Sequence, residues 1–443
     1  MNRFFYTACI RLLSPALLAW MAIRARRSSG DAQVFSGERF GRYARASPLK
    51  RPIWVHAVSL GETRAAQPFI QALLDQGDQI LLTHMTVTGR AEGARAFAEA
   101  IQQGRLSQEW LPYDFPGCTR RFMAHYRPRV GVLIEREVWP NLIAAARLSA
   151  IPIMLVSARF SDRSLRHSLR AGRVMREAYD SLQGVYAQTL HDAQRLEQAG
   201  AAAVRVSGNF KFDISLPEDE VARGRAFASA FPRKVITIAS TREGEDELFI
   251  RAIVRQQKRA RTQGKNLADE LLFVLIPRHP QRFDEAAALL SKADLPFVRR
   301  SQLKDAPDAG TSILRICRDA LVLLGDSLGE MPRYYAASQV AIVAGSFEPL
   351  GGQNLIEASA IGVPVLVGPY TRNFEQAVVD AIDEGAAIRV ADADAALQMA
   401  LQLLADPQRL SKMGKAGAHW VQNHAGAVAR VVIGLNEIKS YRP

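Results

Sequence analysis

Short apolar runs alternate with stretches of helical spacing through most of this chain, and that rhythm limits its fold more than any other feature. From Ile53 onward, IWVHAV, QILLTHMT, VGVLIE, IPIMLVSA, GVYAQT and AVRVSGN read as successive buried strands. Helical spacing falls between them over Glu62 to Leu74, the alanine-rich Gly89 to Ile101, and Trp139 to Leu148. A second series starts near Arg233 with KVITIAS, LLFVLIP, LVLLGD, VAIVAGS and VPVLVGP. Continuous apolar strands joined by helices belong to a parallel sheet covered on both faces. At 443 residues the chain exceeds one ordinary core, so two domains of about 200 residues each are expected. Their joint lies between Phe212 and Pro232, where prolines and charges gather. The expected fold is α/β, with two doubly wound, Rossmann-like domains (28–215 and 216–443) facing a cleft.

Residues 1–27 form a separate element. Phe4 to Ile23 is mostly apolar and is followed by Arg24-Ala-Arg26-Arg27. The run is long enough to span a bilayer, but Arg11 and Pro15 interrupt it. Two readings fit: a single-pass anchor, or a helix lying in the interface. The arginines after it favour the cytoplasmic face for the remainder of the chain. Arg42, Arg45 and Lys50 add a basic apron suited to anionic headgroups.

A net charge of +13 calls for an anionic partner. Zinc-finger spacing and an arginine-rich tail with interleaved aromatics are both lacking, which ranks nucleic acid low. Cys9, Cys118 and Cys317 share no pairing or metal spacing and suit a reducing compartment.

The chemistry-bearing residues collect just past strand ends, where ligands of such sheets bind. GGQNLIEASAIGVPVLVGP, from Gly351 to Pro369, opens with two glycines and carries Glu357. Its amides suit a phosphate, and Glu357 suits the hydroxyls of a ribose. HAVSLGE places Glu62 at a helix start, where a carboxylate is either a cap or a general base. EREVWPN sets Glu135 and Glu137 on one face of an extended segment, with Arg136 on the other. Lys211 lies between two phenylalanines in GNFKFD and could neutralise an anion. SARFSDRS, ASTREGEDE, IPRHP and GDSLGEMPRYY supply further polar loops, with Arg278 placed to pair with phosphate. His56 reads as a packed strand-end residue.

Taken in order, HAVSLGE, LPYDFP, EREVWPNLI, SARFSDRS, GNFKFD, ASTREGEDE, IPRHPQRF, GDSLGEMPRYY and GSFEPLGGQNLIEA resemble the 3-deoxy-D-manno-octulosonic acid (Kdo) transferases of lipopolysaccharide synthesis. The resemblance covers nearly the whole chain. It implies a GT-B fold, inverting transfer of Kdo from CMP-Kdo to a lipid A precursor (lipid IVA), and no metal or cofactor. It also implies the cytoplasmic face of a bacterial inner membrane. By the same resemblance Glu62 is the catalytic base, and Glu135 and Lys211 stabilise the transition state. CMP would be held by Pro277 and Arg278, by Leu328, Gly329 and Glu330, and by Asn354, Leu355, Ile356 and Glu357. Two positions depart from the family's habit. Gln353-Asn354-Leu355 stands where His-Asn-Pro is frequent, and Arg242 where a histidine is common. A nucleotide-sugar 2-epimerase of the same architecture, or a non-catalytic membrane scaffold, are the competing readings.

Overall fold

The apolar runs become the strands of two all-parallel sheets. The computed structural model describes residues 1–27, 35–44, 46–303 and 320–440. β1 (Ile53–His56), β2 (Ile80–His84), β3 (Leu106–Trp110), β4 (Val130–Ile134), β5 (Ile153–Ala158), β6 (Gly184–Ala187) and β7 (Val204–Val206) form the first sheet. Their order is β3-β2-β1-β4-β5-β6-β7. The second contains β8 (Lys234–Thr241), β9 (Leu271–Pro277), β10 (Phe297–Arg299), β11 (Val322–Leu324), β12 (Val340–Val343), β13 (Val365–Val367) and β14 (Ala387–Arg389). Its order is β10-β11-β9-β8-β12-β13-β14. Strand order reverses between β1 and β4 in one sheet, and between β8 and β12 in the other. Doubly wound sheets bind ligands at that reversal, beyond the carboxyl ends of the strands.

Alternation along each strand feeds two cores. Ile53, Val55, Ile80, Leu82, Val132 and Val156 pack on one face of the first sheet. Trp54, Leu81, Leu133, Leu155 and Val185 pack on the other. Gly131 in β4 makes room for the indole of Trp54, because a Cβ there would sit 2.6 Å from the ring. In the second sheet Ile236, Ile238, Phe273, Leu275 and Ile342 face one core, and Val235, Leu272, Val274 and Ile276 the other. Each such burial is worth about 1.5–3 kcal/mol.

The chain divides into two compact units, Met1–Ile214 with His424–Pro443, and Ser215–Asn423. The crossing near 214/215 falls inside the expected joint, but a second domain running to the end of the chain is corrected. The helix Ala427–Ser440 returns to the first unit, where Val428, Val431 and Leu435 pack against Phe69, Ile70 and Phe210. Asp213 receives the backbone N–H groups of Gly426 and Val428, and Lys439 pairs with Asp78 at 2.9 Å. Helical spacing shows an apolar face there but not which sheet covers it.

Three strands escape the apolar pattern: β3, β10 and β14, each at the edge of its sheet. An edge strand is solvated along one side, so LSQEW needs no continuous apolar run. The helix expected over 89–101 is two, Val87–Ala96 and Ala98–Gln102, separated at Phe97. The N-terminal helix covers Arg3–Arg27, and Phe4, Phe5, Leu12, Leu13, Leu17 and Trp20 are all more than half exposed. Arg45, Cys317 and the side chains of residues 24–27 lie outside the described residues.

Candidate active site

At the β1/β4 reversal, Glu62 sits in the first turn of helix Leu60–Asp75. Ser59 caps that helix: its hydroxyl oxygen accepts from the Glu62 amide at 3.4 Å. The Glu62 carboxylate reaches back and accepts from the Val58 N–H at 2.7 Å and from the Ser59 hydroxyl at 3.3 Å. Ser-x-x-Glu is therefore a reciprocal capping arrangement. The cap does not exhaust the carboxylate. Burial pushes its pKa up to about 7, opposed by the Val58 N–H and assisted by the like charges of Glu135 and Glu137. A carboxyl titrating near neutrality is suited to general-base work.

Glu135 follows β4 and is held in left-handed backbone, φ 62°. The expectation of an extended Glu135-Arg136-Glu137 is thus corrected: the chain turns at Glu135. Non-glycine residues in this region are strained by about 1–3 kcal/mol and cluster at functional sites. The turn leaves Arg136 exposed and both glutamates partly buried. Glu137 accepts from the Trp139 indole N–H at 3.0 Å, and burial raises its pKa. Lys211 Nζ lies 3.5 Å from Glu135 Oε1. Its short turn, Phe210–Phe212, is fixed by Asn209, which accepts from the Lys211 amide, and by stacking of Phe210 on Phe69 and Phe212 on His424. Glu62, Glu135 and Lys211 are therefore brought to one end of the first sheet. His56 is fully buried and held neutral, its pKa pushed down to about 3 by burial; Nδ1 lies 2.9 Å from Thr83 Oγ1.

In the second unit, the β8/β12 reversal is spanned by Glu245, which is fully buried. Its carboxylate accepts from the N–H groups of Arg242 (2.8 Å), Gly345 (2.6 Å) and Phe347 (2.8 Å). Sequence reasoning misses this brace between the ends of two strands, since Glu245 reads only as a first-turn acid. Gly345 in turn accepts from the Gly352 N–H at 2.6 Å. Gly351 and Gly352 adopt φ of 97° and 81°, a backbone that side chains disfavour. Beyond them Asn354 Oδ1 accepts from the Ile356 N–H, and its amide nitrogen donates to Glu357 at 3.4 Å.

The expected nucleotide residues separate into two kinds. Arg278 and Glu357 are part-buried, and both act electrostatically on the buried Tyr335 hydroxyl. Gly329 and Leu328 are open, Leu328 at 73% exposure. Pro277 closes β9, and Leu355 and Ile356 are buried, so these three can offer only backbone. Glu330 is an ion-pair hub, 2.6 Å from Arg300 and 2.8 Å from Arg333. Among the described residues, no group of three or more His, Cys, Asp or Glu could hold a metal ion.

Comparison with known proteins places the fold and the sequence in a family. Residues 36–214 match the family described as 3-deoxy-D-manno-octulosonic-acid transferase (kdotransferase), and residues 315–420 match glycosyl transferases group 1. A 3-deoxy-D-manno-octulosonic acid transferase of Bordetella pertussis is 55% identical over 99% of this chain and 99% of its own. A glycosyltransferase of Rickettsia africae aligns in structure with TM-score 0.54 and 12% identity, over 89% of this chain and all of that one. A UDP-N-acetylglucosamine 2-epimerase aligns with TM-score 0.52 and 16% identity, over 89% and 98%. These two show the fold alone, shared by transferases and epimerases, whereas the sequence relative separates them. This chain belongs to the 3-deoxy-D-manno-octulosonic acid transferase family of GT-B glycosyltransferases.

Proposed function

We propose that the protein transfers Kdo from CMP-Kdo to a lipid A precursor, with Glu62 as general base and inversion in one displacement. The acceptor oxygen bonds to the anomeric carbon as the bond to the CMP phosphate oxygen breaks. The hydroxyl proton passes to Glu62, and CMP leaves as an anion. One observation carries this reading: a part-buried carboxylate at the β1/β4 reversal, held near neutral pKa beside two other glutamates. Lys211 would offset the Kdo carboxylate while Glu135 holds its ammonium in place. In the second unit the open Gly329 loop, Arg278 and the segment from Asn354 to Glu357 are assigned to CMP. No metal or cofactor has a part in this scheme. The exposed N-terminal helix and the basic chain support residence at an anionic membrane surface, the cytoplasmic face of the inner membrane.

The direct test incubates purified protein with CMP-Kdo and tetraacylated lipid A precursor and weighs the lipid by mass spectrometry. A mass gain of one or more Kdo units is expected; an unmodified lipid beside intact donor overturns the assignment. The acid limb is a second expectation. Because the base must be ionised, kcat/KM should rise about tenfold per pH unit below its pKa and level off above it. With Glu62 near 7, the bend should fall there. Lys211→Ala should lower kcat by about 100-fold, with Lys211→Arg recovering part of it. The fold should survive either change, since Phe210 and Phe212 anchor the turn.

A further inference from the structure

We propose that the N-terminal helix does not cross the bilayer: it lies in the headgroup interface of one leaflet, with the arginine face of helix Asp162–Ala171 turned to the same anionic headgroups. The inference rests on the proposed membrane residence of this chain and concerns its geometry.

Two tethers carry it. At the start of the helix, Met1 O accepts from the Val174 N–H at 3.0 Å. The Tyr6 hydroxyl donates to Asp114 at 2.9 Å, and Thr7 Oγ1 donates to Asn141 Oδ1 at 3.1 Å. Asp114 is itself fixed, accepting from the N–H groups of Asn141 and Leu142. The first two turns are thus bound to the first unit. The helix runs on to Arg27, but its apolar part from Ala8 to Ile23 is roughly 24 Å, short of the ~30 Å hydrocarbon layer, and it contains Arg11 and Pro15.

The far end is tied as well. Arg39 O accepts from the Tyr113 N–H at 2.8 Å, and Arg121 donates to Phe40 O at 2.6 Å. From Arg27 to Phe35 the chain can reach about 28 Å at full stretch. Were the helix to span, this stretch would have to return through hydrocarbon with its backbone polar groups unpaired, which lipid does not tolerate. Both ends of the helix therefore belong to one side.

The neighbouring surface has the complementary charge. Arg163, Arg166, His167 and Arg170 recur on one helical face and are all exposed. The next helix, Arg173–Asp180, exposes Arg176, while its Arg173 pairs with Glu177 at 2.5 Å. The two helices meet at Gly172, where an added Cβ would lie 3.1 Å from the Met1 nitrogen. Leu148 and Leu169 add exposed apolar side chains on the first unit.

The test uses the full chain in cells, with Cys9→Ala and Cys317→Ala, carrying either Asn2→Cys or Glu99→Cys, both at exposed positions. An impermeant maleimide is applied to spheroplasts and to inverted inner-membrane vesicles. Both cysteines should label in the same preparation. Labelling of Asn2→Cys and Glu99→Cys in opposite preparations overturns the one-sided placement and leaves membrane residence intact. Recovery of the protein in the soluble fraction instead overturns the membrane reading on which the placement rests. The stripe is tested by partition of the triple variant Arg163→Gln, Arg166→Gln, Arg170→Gln onto phosphatidylglycerol–phosphatidylcholine vesicles. A loss of about 100-fold is expected; partition equal to that of the unsubstituted chain removes the stripe from the proposal.

Discussion

Glu62→Gln is expected to reduce kcat by about a thousandfold while leaving CMP affinity within a factor of two or so. Glutamine is the discriminating choice because the proposed mechanism gives Glu62 a second job beside its cap. As a cap it accepts from Val58 and Ser59, and the amide oxygen retains one of those acceptors. As a base it must take a proton, which an amide cannot do. A purely structural role would therefore leave Gln nearly as active as Glu, whereas Glu62→Ala would be impaired in stability and turnover alike. The acid limb near pH 7 should also vanish from the residual activity of the Gln variant, since burial is what places this group there. Initial rates at saturating CMP-Kdo, with CMP binding by calorimetry, give the answer. Near-normal turnover by Glu62→Gln would remove it from the chemistry.

Glu245→Ala should be the most damaging change in the second unit. It strips three backbone N–H groups of their acceptor, those of Arg242, Gly345 and Phe347. The N–H groups of Gly345 and Phe347 are buried, and each buried donor left unpaired costs about 1–3 kcal/mol, so a loss of about 2–6 kcal/mol is expected. The damage should reach the segment assigned to CMP in the proposed function, because Gly352 bonds to the Gly345 carbonyl. CMP affinity should fall at least about tenfold, which corresponds to 1.4 kcal/mol of weakened binding. Urea unfolding followed at Trp420, buried in the second unit, checks the first part, and calorimetric titration with CMP the second. An unchanged midpoint would mean that the brace adds nothing to stability.

The site is unevenly legible in the chain. HAVSLGE and GNFKFD mark Glu62 and Lys211, but only three-dimensional packing reveals that Glu62 is both a cap and a group poised near neutrality. Asp326 and Glu330 stand past a strand in GDSLGEMPRYY, and Glu245 in the first turn of a helix. In the fold each is held by several donors: Asp326, for one, accepts from Arg299 at 2.6 Å and from the Ser301 amide at 2.8 Å. A sequence shows that an acid lies past a strand; it does not show how many donors from distant loops already surround it. Glu135 reads as extended and turns instead, yet it arrives beside Lys211, because a left-handed turn can aim a side chain as well as an extended segment can.

Local pattern was enough for features that depend on neighbours along the chain. Apolar runs of strand length, helical spacing between them and ordered motifs past their ends determined two doubly wound sheets, the family, and an apolar N-terminal helix. Tertiary structure alone decided the features that depend on partners far apart in number. It returned Ala427–Ser440 to the first unit, added the solvated edge strands β3, β10 and β14, and surrounded Glu245 with three donors while burial raised the pKa of Glu62. The physical reason is the same each time: burial and hydrogen-bond satisfaction are sums over everything within a few ångströms, and sequence order does not say which residues those will be.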